Sequence, residues 1–592
     1  MVLQQYTYLF AIGTIFAFLD AWNIGANDVA NSWANSVAAR SLTYLQAMFL
    51  ASIMEFAGAL GVGARVADTI RTKVVDTESF ADTPGLLMLG MVCAVIGSSL
   101  FLTFATKCGF PVSTTHSILG GVIGMGVAAV GAKNVKWIGD PAEGSTAVIT
   151  GGVIQVFLAW IIAPVLSGIF AAIIFSITKY GVLLRKDPVR KGLFAVPVYF
   201  TIAACLLAML LIWKGGNYEV NLTDQEIPGV IVGTGIGFGI LVALTLVPWL
   251  YRRMIVGDWQ LRGYHVFLGP LLLKRGDVPP PPASYKGPVR DFYAGRRTRD
   301  DVAPGKQQPD DIEAARPGDA PNKDIGIVAE GEKIVGSGAS DQHTGDVREE
   351  HYQHKSIIGP KPEGKWYTGP VLWWYAKWLV LRGVDRDVVA SQSEKSVLAG
   401  DVEEMHARAL RFDNRAEYLY TFLQIMTAAT ASFTHGANDV ANAIGPYATI
   451  YQIWKEGGVP ADGESSVPTW ILVFGGAGIV IGLWTYGYNI MRNLGNRLTL
   501  QSPSRGFSME MGSVIAVVMA TRLKLPVSTT QCITGATVGV GFCNGDWRAI
   551  NWRMVAWIYL GWFVTLPAAG IISGCLMGFV INAPRWPTTM TN

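Results

Sequence analysis

The sequence predicts an all-α polytopic membrane protein of about twelve transmembrane helices. They form two inverted-topology repeats, with discontinuous helices and re-entrant hairpins at the site. Three observations predict this. Hydrophobic residues make up 51% of the 592 and charged residues only 15%, with a mean hydropathy of +0.33; a soluble domain carries about 25% charged residues. Apolar runs long enough to cross a bilayer, about 20 residues, recur along the chain. Two polar motifs set inside such runs each occur twice, at nearly the same spacing.

The apolar runs fall at about 6–22, 42–66, 85–106, 115–131, 147–176, 193–213 and 229–251, then at about 416–435, 468–490, 508–522, 526–543 and 552–582. The first has no basic leader and no small-residue cleavage site, so it reads as a permanent span. Between the two sets, residues 252–412 turn hydrophilic, with "DVPPPPASYKGP" and "RRTRDDVAPGKQQPDD". Such composition favours a long loop, disordered over much of its length. Within it, "VLWWYAKWLVLRGV" (371–384) suits a helix lying on a membrane surface. The chain thus divides into a first transmembrane repeat (1–180), linking helices (181–251), a hydrophilic loop (252–412) and a second repeat (413–592).

Basic short loops set orientation. "LLRKDPVRKG" (183–192), "MRNLGNRLTLQSPSR" (491–505) and the start of the long loop share one side, taken as cytoplasmic, with both termini outside. The segment 214–228 then faces outward, with the sequon "NLT" at 221–223. The net charge of +3 is too small to imply nucleic acid. The six cysteines (Cys93, Cys108, Cys205, Cys532, Cys543, Cys575) lie in or beside apolar runs without CxxC spacing, and read as small buried hydrophobes.

The repeat is explicit. "GANDVAN" opens at Gly25 and again at Gly436, 411 residues on; "PVSTT" occurs at 111–115 and 526–530, 415 apart. Two long motifs in the same order indicate duplication. Each copy is displaced by seven runs, an odd number, so the copies cross the bilayer in opposite senses. Inverted repeats of this kind mark secondary transporters, with the site at the repeat interface.

Asn27-Asp28 and Asn438-Asp439 place carboxylates at bilayer depth, where an ionised Asp facing lipid costs somewhere between ~3 and over 10 kcal/mol. Gly25, Ala26 and Ala30 allow a broken helix or a close backbone approach. Carbonyls freed by a break, with the Asn and Asp oxygens, would suit a hard cation. The plainer role is helix packing around one satisfied polar pair. Ser113-Thr114-Thr115 and Ser528-Thr529-Thr530 each follow a proline and precede a glycine-rich apolar segment. They read as helix N-caps, and a helix N-terminus with free N–H groups and added hydroxyls makes an anion cradle. An anion near Asp28 and Asp439 would be repelled by about 4 kcal/mol per charge pair at ~4 Å and an effective dielectric of 20. Cations seated between them reverse the sign. Anion and cation then bind only together, which is the physics of a symporter.

Further acids stand in apolar surroundings. Glu55 and Glu510 are not repeat equivalents; each suits a cation ligand, a proton acceptor or a partner for a base such as Arg505. Asp20 is open between function and structure. His116 and His435 adjoin the motifs without a match in the other copy and read as neighbours rather than ligands. Arg40, Lys107, Arg522 and Lys524 sit near span ends, where they snorkel.

At the duplicated GANDVAN and PVSTT, with the long central loop, the chain resembles the inorganic phosphate transporter (PiT) family, most of all the fungal-type sodium–phosphate symporters of the plasma membrane. The resemblance covers roughly 1–250 and 412–592. It implies twelve spans, inverted repeats and alternating access. It also implies phosphate held by Ser113, Thr114, Thr115, Ser528, Thr529 and Thr530 with Asn27 and Asn438 close by, and sodium held by Asp28 and Asp439 with Asn27, Asn438 and backbone carbonyls. Glu55 and Glu510 match acids needed for transport in family members. Ser32 and Trp33 against Ala443 and Ile444 depart from symmetry, which would make the two cation sites unequal. No cofactor is expected beyond co-transported sodium. The expected partners are inorganic phosphate, sodium and the lipid bilayer, with a homodimer and regulatory proteins on the central loop left open. Proton coupling, and a phosphate receptor with slow transport, are the alternatives; an intramembrane enzyme finds no nucleophile or zinc set.

Overall fold

A computed structural model describes residues 4–72, 77–139, 151–214, 222–283, 285, 287–297, 357–381, 383–393, 398–459, 467–522 and 527–583. Asn221 of the sequon, Lys524, Pro526 and most of the loop centre lie outside the described residues. Among those described, regular structure is all helical: α1 (Thr7–Ala38), α2 (Tyr44–Thr72), α3 (Pro84–Cys108), α4 (Thr114–Val130), α5 (Gly152–Thr178), α6 (Pro188–Lys214), α7 (Glu226–Tyr251), α8 (Gly369–Leu381), α9 (Asn414–Glu456), α10 (Thr469–Tyr486), α11 (Pro503–Arg522), α12 (Thr529–Phe542) and α13 (Trp552–Asn582), with shorter turns between. Eight helices are long and apolar enough to cross a membrane, namely α1, α2, α3, α5, α6, α7, α10 and α13. Large apolar side chains such as Ile161, Phe194 and Phe579 stay exposed on the spanning helices, as a lipid-facing surface requires.

GANDVAN does not break its helix. In α1 and α9 the motif lies in uninterrupted α-helix, so the expected carbonyl ligands are not freed. The backbone has no need to open, because the motif side chains find partners on other elements. What Gly25 and Gly436 supply is close approach. A Cβ on Gly25 would stand 1.9 Å from the Ile479 carbonyl oxygen of α10, and one on Gly436 would stand 2.1 Å from the Glu55 carbonyl oxygen of α2. The contact is therefore reciprocal, each motif helix packing on the second helix of the other copy. The same exchange recurs at the second motif. Gly120 and Gly124 of α4 meet the Leu566 and Gly570 backbone of α13, while their counterparts Gly535 and Gly539 of α12 meet the Pro164 and Gly168 backbone of α5.

Helices α1 and α9 lie side by side in opposite directions. Phe10, near the start of α1, stacks on Trp454 near the end of α9 (4.4 Å), and Thr14 meets the Tyr447 hydroxyl at 3.0 Å. At the other end Ser41, just past α1, hydrogen-bonds Gln424 in the first turns of α9. Helix α3 runs alongside α1, with Ser99 Oγ donating to the Phe16 carbonyl (2.9 Å) and Asn27 Nδ2 to Thr106 Oγ1 (3.2 Å). A turn at Gly109, with φ 71°, sends the chain back as α4. Helix α11 likewise runs beside the start of α9, and α12 returns until Asn544, just past its end, meets Arg505 near the start of α11 at 3.0 Å. The two hairpins therefore enter from opposite ends and meet tip to tip, with Thr530 Oγ1 donating to the Val112 carbonyl at 3.2 Å. Chain discontinuities do sit at the site, as hairpin tips rather than as broken motif helices.

Parts of the central loop are docked. Residues 263–274 pack along α7, and Trp249 Nε1 donates to the Arg262 carbonyl (3.0 Å). Nearer the second repeat, Gln392 bonds the Met491 carbonyl (2.8 Å), His406 Nε2 meets the Asn496 carbonyl (2.7 Å) and Asn551 holds the Ala399 carbonyl (3.0 Å). Helix α8 presents Leu372, Trp373 and Leu379 outward. All six cysteines are free, but Cys108 and Cys575 are exposed, because those faces of α3 and α13 point away from the protein interior.

Candidate functional site

Four chain segments converge where the hairpin tips meet: the centres of α1 and α9 and the N-termini of α4 and α12. Asp28 and Asp439 are buried, with 1% and 2% of their surface exposed. Neither has a lysine or arginine partner among the described ion pairs. Instead the PVSTT hydroxyls close on them crosswise. Asp28 accepts from Thr114 Oγ1 (2.8 Å) of one hairpin, and Thr530 Oγ1 of the other lies 3.4 Å away, its one proton shared with the nearer Val112 carbonyl. Asp439 accepts from Thr115 Oγ1 (3.5 Å) and Thr529 Oγ1 (3.3 Å). Each carboxylate is thus reached from both repeats, as a shared site demands. Ser113 caps α4, accepting from the His116 N–H at 3.3 Å, and Ser528 occupies the matching position on α12.

The asparagines divide differently from expectation. Asn27 is spent on its own hairpin tip, donating to the Phe110 carbonyl (3.1 Å) and accepting from the Val112 N–H (3.2 Å). It positions PVSTT, with one lone pair of its amide oxygen engaged at the tip. Asn438 is half-buried. The last asparagine of each motif enters the cluster instead. Asn31 Nδ2 reaches Asp28 (3.1 Å) and Thr530 (2.8 Å), while Asn442 Nδ2 reaches Asp439 (3.3 Å), Thr114 and Thr115 (both 3.2 Å). The signal was present in "DVAN": a spacing of three puts Asp and Asn on one helix face in both copies.

His435 is no mere neighbour. Its Nε2 lies 2.9 Å from Asp439 Oδ2 and 3.5 Å from Asp28 Oδ2, and its Nδ1 lies 2.6 Å from Glu55 Oε2. Ser432 holds the other Glu55 oxygen at 3.0 Å. The i, i+4 spacing of His435 and Asp439 predicts their shared face; requiring a match in the other repeat hid it. Glu55 therefore belongs to the cluster. Glu510 does not. It is held 2.8 Å from Ser36, 2.8 Å from Thr427 and 3.3 Å from Gln424, beside the far end of α1. Arg505 is not its partner, bonding Ser502 (3.2 Å), Asn544 and the Leu410 carbonyl instead. His116 accepts from Trp160 Nε1 (3.0 Å) on the back of α4, clear of the cluster.

Three carboxyl groups surround one imidazole, with no lysine or arginine among the described ion pairs there. Ligand atoms of Asp28, His435 and Asp439 all lie within 4.8 Å of one another, close enough to share an ion. Donor hydroxyls and two helix N-termini face the same place, so the cluster can take a cation and an anion side by side.

This fold and site define a multi-pass membrane transporter. Residues 24–573 match the phosphate transporter family, and the chain belongs to that family. It is 64% identical over 593 residues to the phosphate-repressible phosphate permease pho-4 of Neurospora crassa, with 99% of each chain covered. It is 28% identical to the human sodium-dependent phosphate transporter 2, covering 98% of this chain and 99% of that one. A solved structure described as the sodium-dependent phosphate transporter shares the fold at a TM-score of 0.56 and 24% identity, with 98% of this chain and 100% of that one covered. Family and relatives are transporters, not enzymes.

Proposed function

We propose that the chain imports inorganic phosphate across the plasma membrane, driven by sodium, by alternating access between two inverted repeats. One observation carries the reading: threonine hydroxyls of both hairpin tips lie against the two carboxylates. Thr114 has one proton, and it now points at Asp28 (2.8 Å). A sodium ion taking that carboxylate releases the hydroxyl to donate to phosphate. Thr115, Thr529 and Thr530 are placed for the same exchange. Phosphate would then rest on Ser113, Thr114, Thr115, Ser528, Thr529 and Thr530 and the first N–H groups of α4 and α12, with sodium on Asp28 and Asp439. Neither ion binds well alone, because an unscreened carboxylate both repels the anion and holds its donors.

The antiparallel course of α1 and α9, with hairpins entering from opposite ends, supports inverted repeats and re-entrant hairpins. Counting α3–α4 and α11–α12 as two such hairpins leaves eight crossing helices rather than twelve. Helix α9 is then the sixth crossing and α1 the first, an odd displacement of five, so their opposite sense is kept. The basic loops favour a cytoplasmic central loop with both termini outside. Glu55 and Glu510 act as transport-essential acids, the first through His435.

Proton coupling is the second reading, favoured by His435 lying against three carboxylates. Radiolabelled phosphate uptake into proteoliposomes decides between them. Replacing sodium by potassium should abolish accumulation at fixed pH. Accumulation driven by a pH gradient without sodium would establish the second reading in its place.

A further inference from the structure

Helix α1 carries a second buried acid, away from the central cluster. Asp20 lies two turns before Asp28, about 12 Å along the helix, and no part of it is exposed. Its surroundings are oxygens. Ser99 Oγ stands 3.4 Å from Asp20 Oδ1, and the Ser98 hydroxyl faces the carboxylate from the same turn of α3. Asn23, on the same face of α1, has turned its amide nitrogen away, to Thr103 Oγ1 (2.9 Å) and the Ser99 carbonyl (3.2 Å). That leaves Asp20 Oδ2 and Asn23 Oδ1 buried without a hydrogen-bond partner, beside the Ser98 hydroxyl. None of the described ion pairs includes Asp20.

A buried carboxylate with no cationic partner costs several kcal/mol, so something neutralises it. A proton on Asp20, with the Ser98 hydroxyl donating in turn, would satisfy the same oxygens as a neutral cluster, and that is the competing state the binding test separates. A small hard cation takes these oxygens too, and a carboxylate, an amide oxygen and a hydroxyl are the ligands it prefers. The repeat adds an independent argument. At the motif offsets, Asp20 corresponds to Ala431 and Asn23 to Thr434, while Ser98 keeps its hydroxyl as Ser513. The second copy holds no acid there, so packing in this architecture does not require one.

We propose that Asp20, Asn23 and Ser98 form a third cation site, which holds a sodium ion beside the first repeat only. The site rests on the sodium-coupled reading above and extends it. The ion sits on the motif helix toward its N-terminal end, in series with the ion at Asp28. Each phosphate then travels with one more positive charge than the paired motif aspartates account for.

The test is radiolabelled sodium binding to the purified full-length transporter without phosphate, for wild type, Asp20→Asn, Ser98→Ala and Asp28→Asn. Asparagine copies a protonated aspartate in shape, so it keeps the packing while removing the charge. Asp20→Asn should bind one fewer sodium ion per chain than wild type. Ser98→Ala should keep the count and raise the half-saturating sodium concentration by about tenfold. Asp20→Asn with Asp28→Asn should lose two ions, as separate sites must. Should Asp20→Asn fail to fold, the Ser98→Ala shift decides. Wild-type counts and affinity retained in both Asp20→Asn and Ser98→Ala would overturn the site and assign Asp20 a proton. Wild type binding no sodium at all would instead overturn the sodium-coupled reading itself, which the wild-type arm alone reports.

Discussion

Gly436→Ala is the sharpest structural perturbation of the central cluster. The added Cβ would meet the Glu55 carbonyl oxygen at 2.1 Å and the Glu55 Cα at 2.7 Å. Both neighbours are backbone, so no rotamer change relieves the clash. Helix α2 must retreat by about 1 Å to restore ordinary contact, and it takes the Glu55 side chain with it. That side chain sits 2.6 Å from His435 Nδ1, so a retreat of that size weakens or breaks the bond. Overpacking of this kind costs ~1–3 kcal/mol, partly offset by about 1 kcal/mol of helix propensity gained over glycine. Net stability therefore falls by about 0–2 kcal/mol, which the melt reports separately, while the site loses its geometry; a 1 Å misplacement of working groups can cost about a hundredfold in rate. The assay is initial phosphate uptake per transporter at the membrane, beside a thermal melt of the purified protein. Gly237→Ala is the control, since a Cβ there meets nothing within 4 Å. Uptake in Gly436→Ala equal to that of Gly237→Ala would refute the claim that this approach positions the cluster.

Three further outcomes are expected. Asp28→Asn and Asp439→Asn should each abolish concentrative uptake while leaving the protein in the membrane; sodium-dependent accumulation at the wild-type rate in either would remove the carboxylates from the mechanism. Deleting 301–356, a segment between the docked flanks of the loop, should leave uptake intact, and lost uptake in a correctly localised deletion would make that segment part of the machine. His406 is buried in the docked part of the loop, and burial, with Arg296 nearby, pushes its pKa down to about 3. A folded pKa below the unfolded ~6.5 stabilises docking fully above pH 6.5 and loses that contribution as the pH falls toward 3. Proteolysis of the 398–412 segment should therefore quicken between pH 7 and pH 5, by up to ~2 kcal/mol of opening free energy, and His406→Gln should flatten the dependence. Equal rates for the native chain at both values would contradict the sign.

Much of this site was legible because the chain writes it twice. Duplicated Asp, Ser and Thr in apolar sequence marked the two carboxylates and both hydroxyl sets, and run parity predicted the opposed directions seen in α1 and α9. Duplication also misled. His435 has no copy, yet it touches three acids. Asn27 has a copy, yet its amide is engaged by the hairpin tip. Neither assignment can be read locally, since the partners of Asn27 and of Glu55 lie 85 and 380 residues away. The unbroken motif helices have the same origin. Side chains that would otherwise have forced the backbone open are satisfied by hairpin tips, and tip depth is a tertiary property.

The central claim is that cations on Asp28 and Asp439 make room for the anion. Radiolabelled phosphate binding to the purified chain, with sodium replaced by choline at constant ionic strength, tests it without transport. One unscreened carboxylate at ~4 Å opposes phosphate by about 4 kcal/mol at an effective dielectric of 20, so affinity should fall by about a thousandfold. Phosphate binding equally tightly in choline would contradict the account.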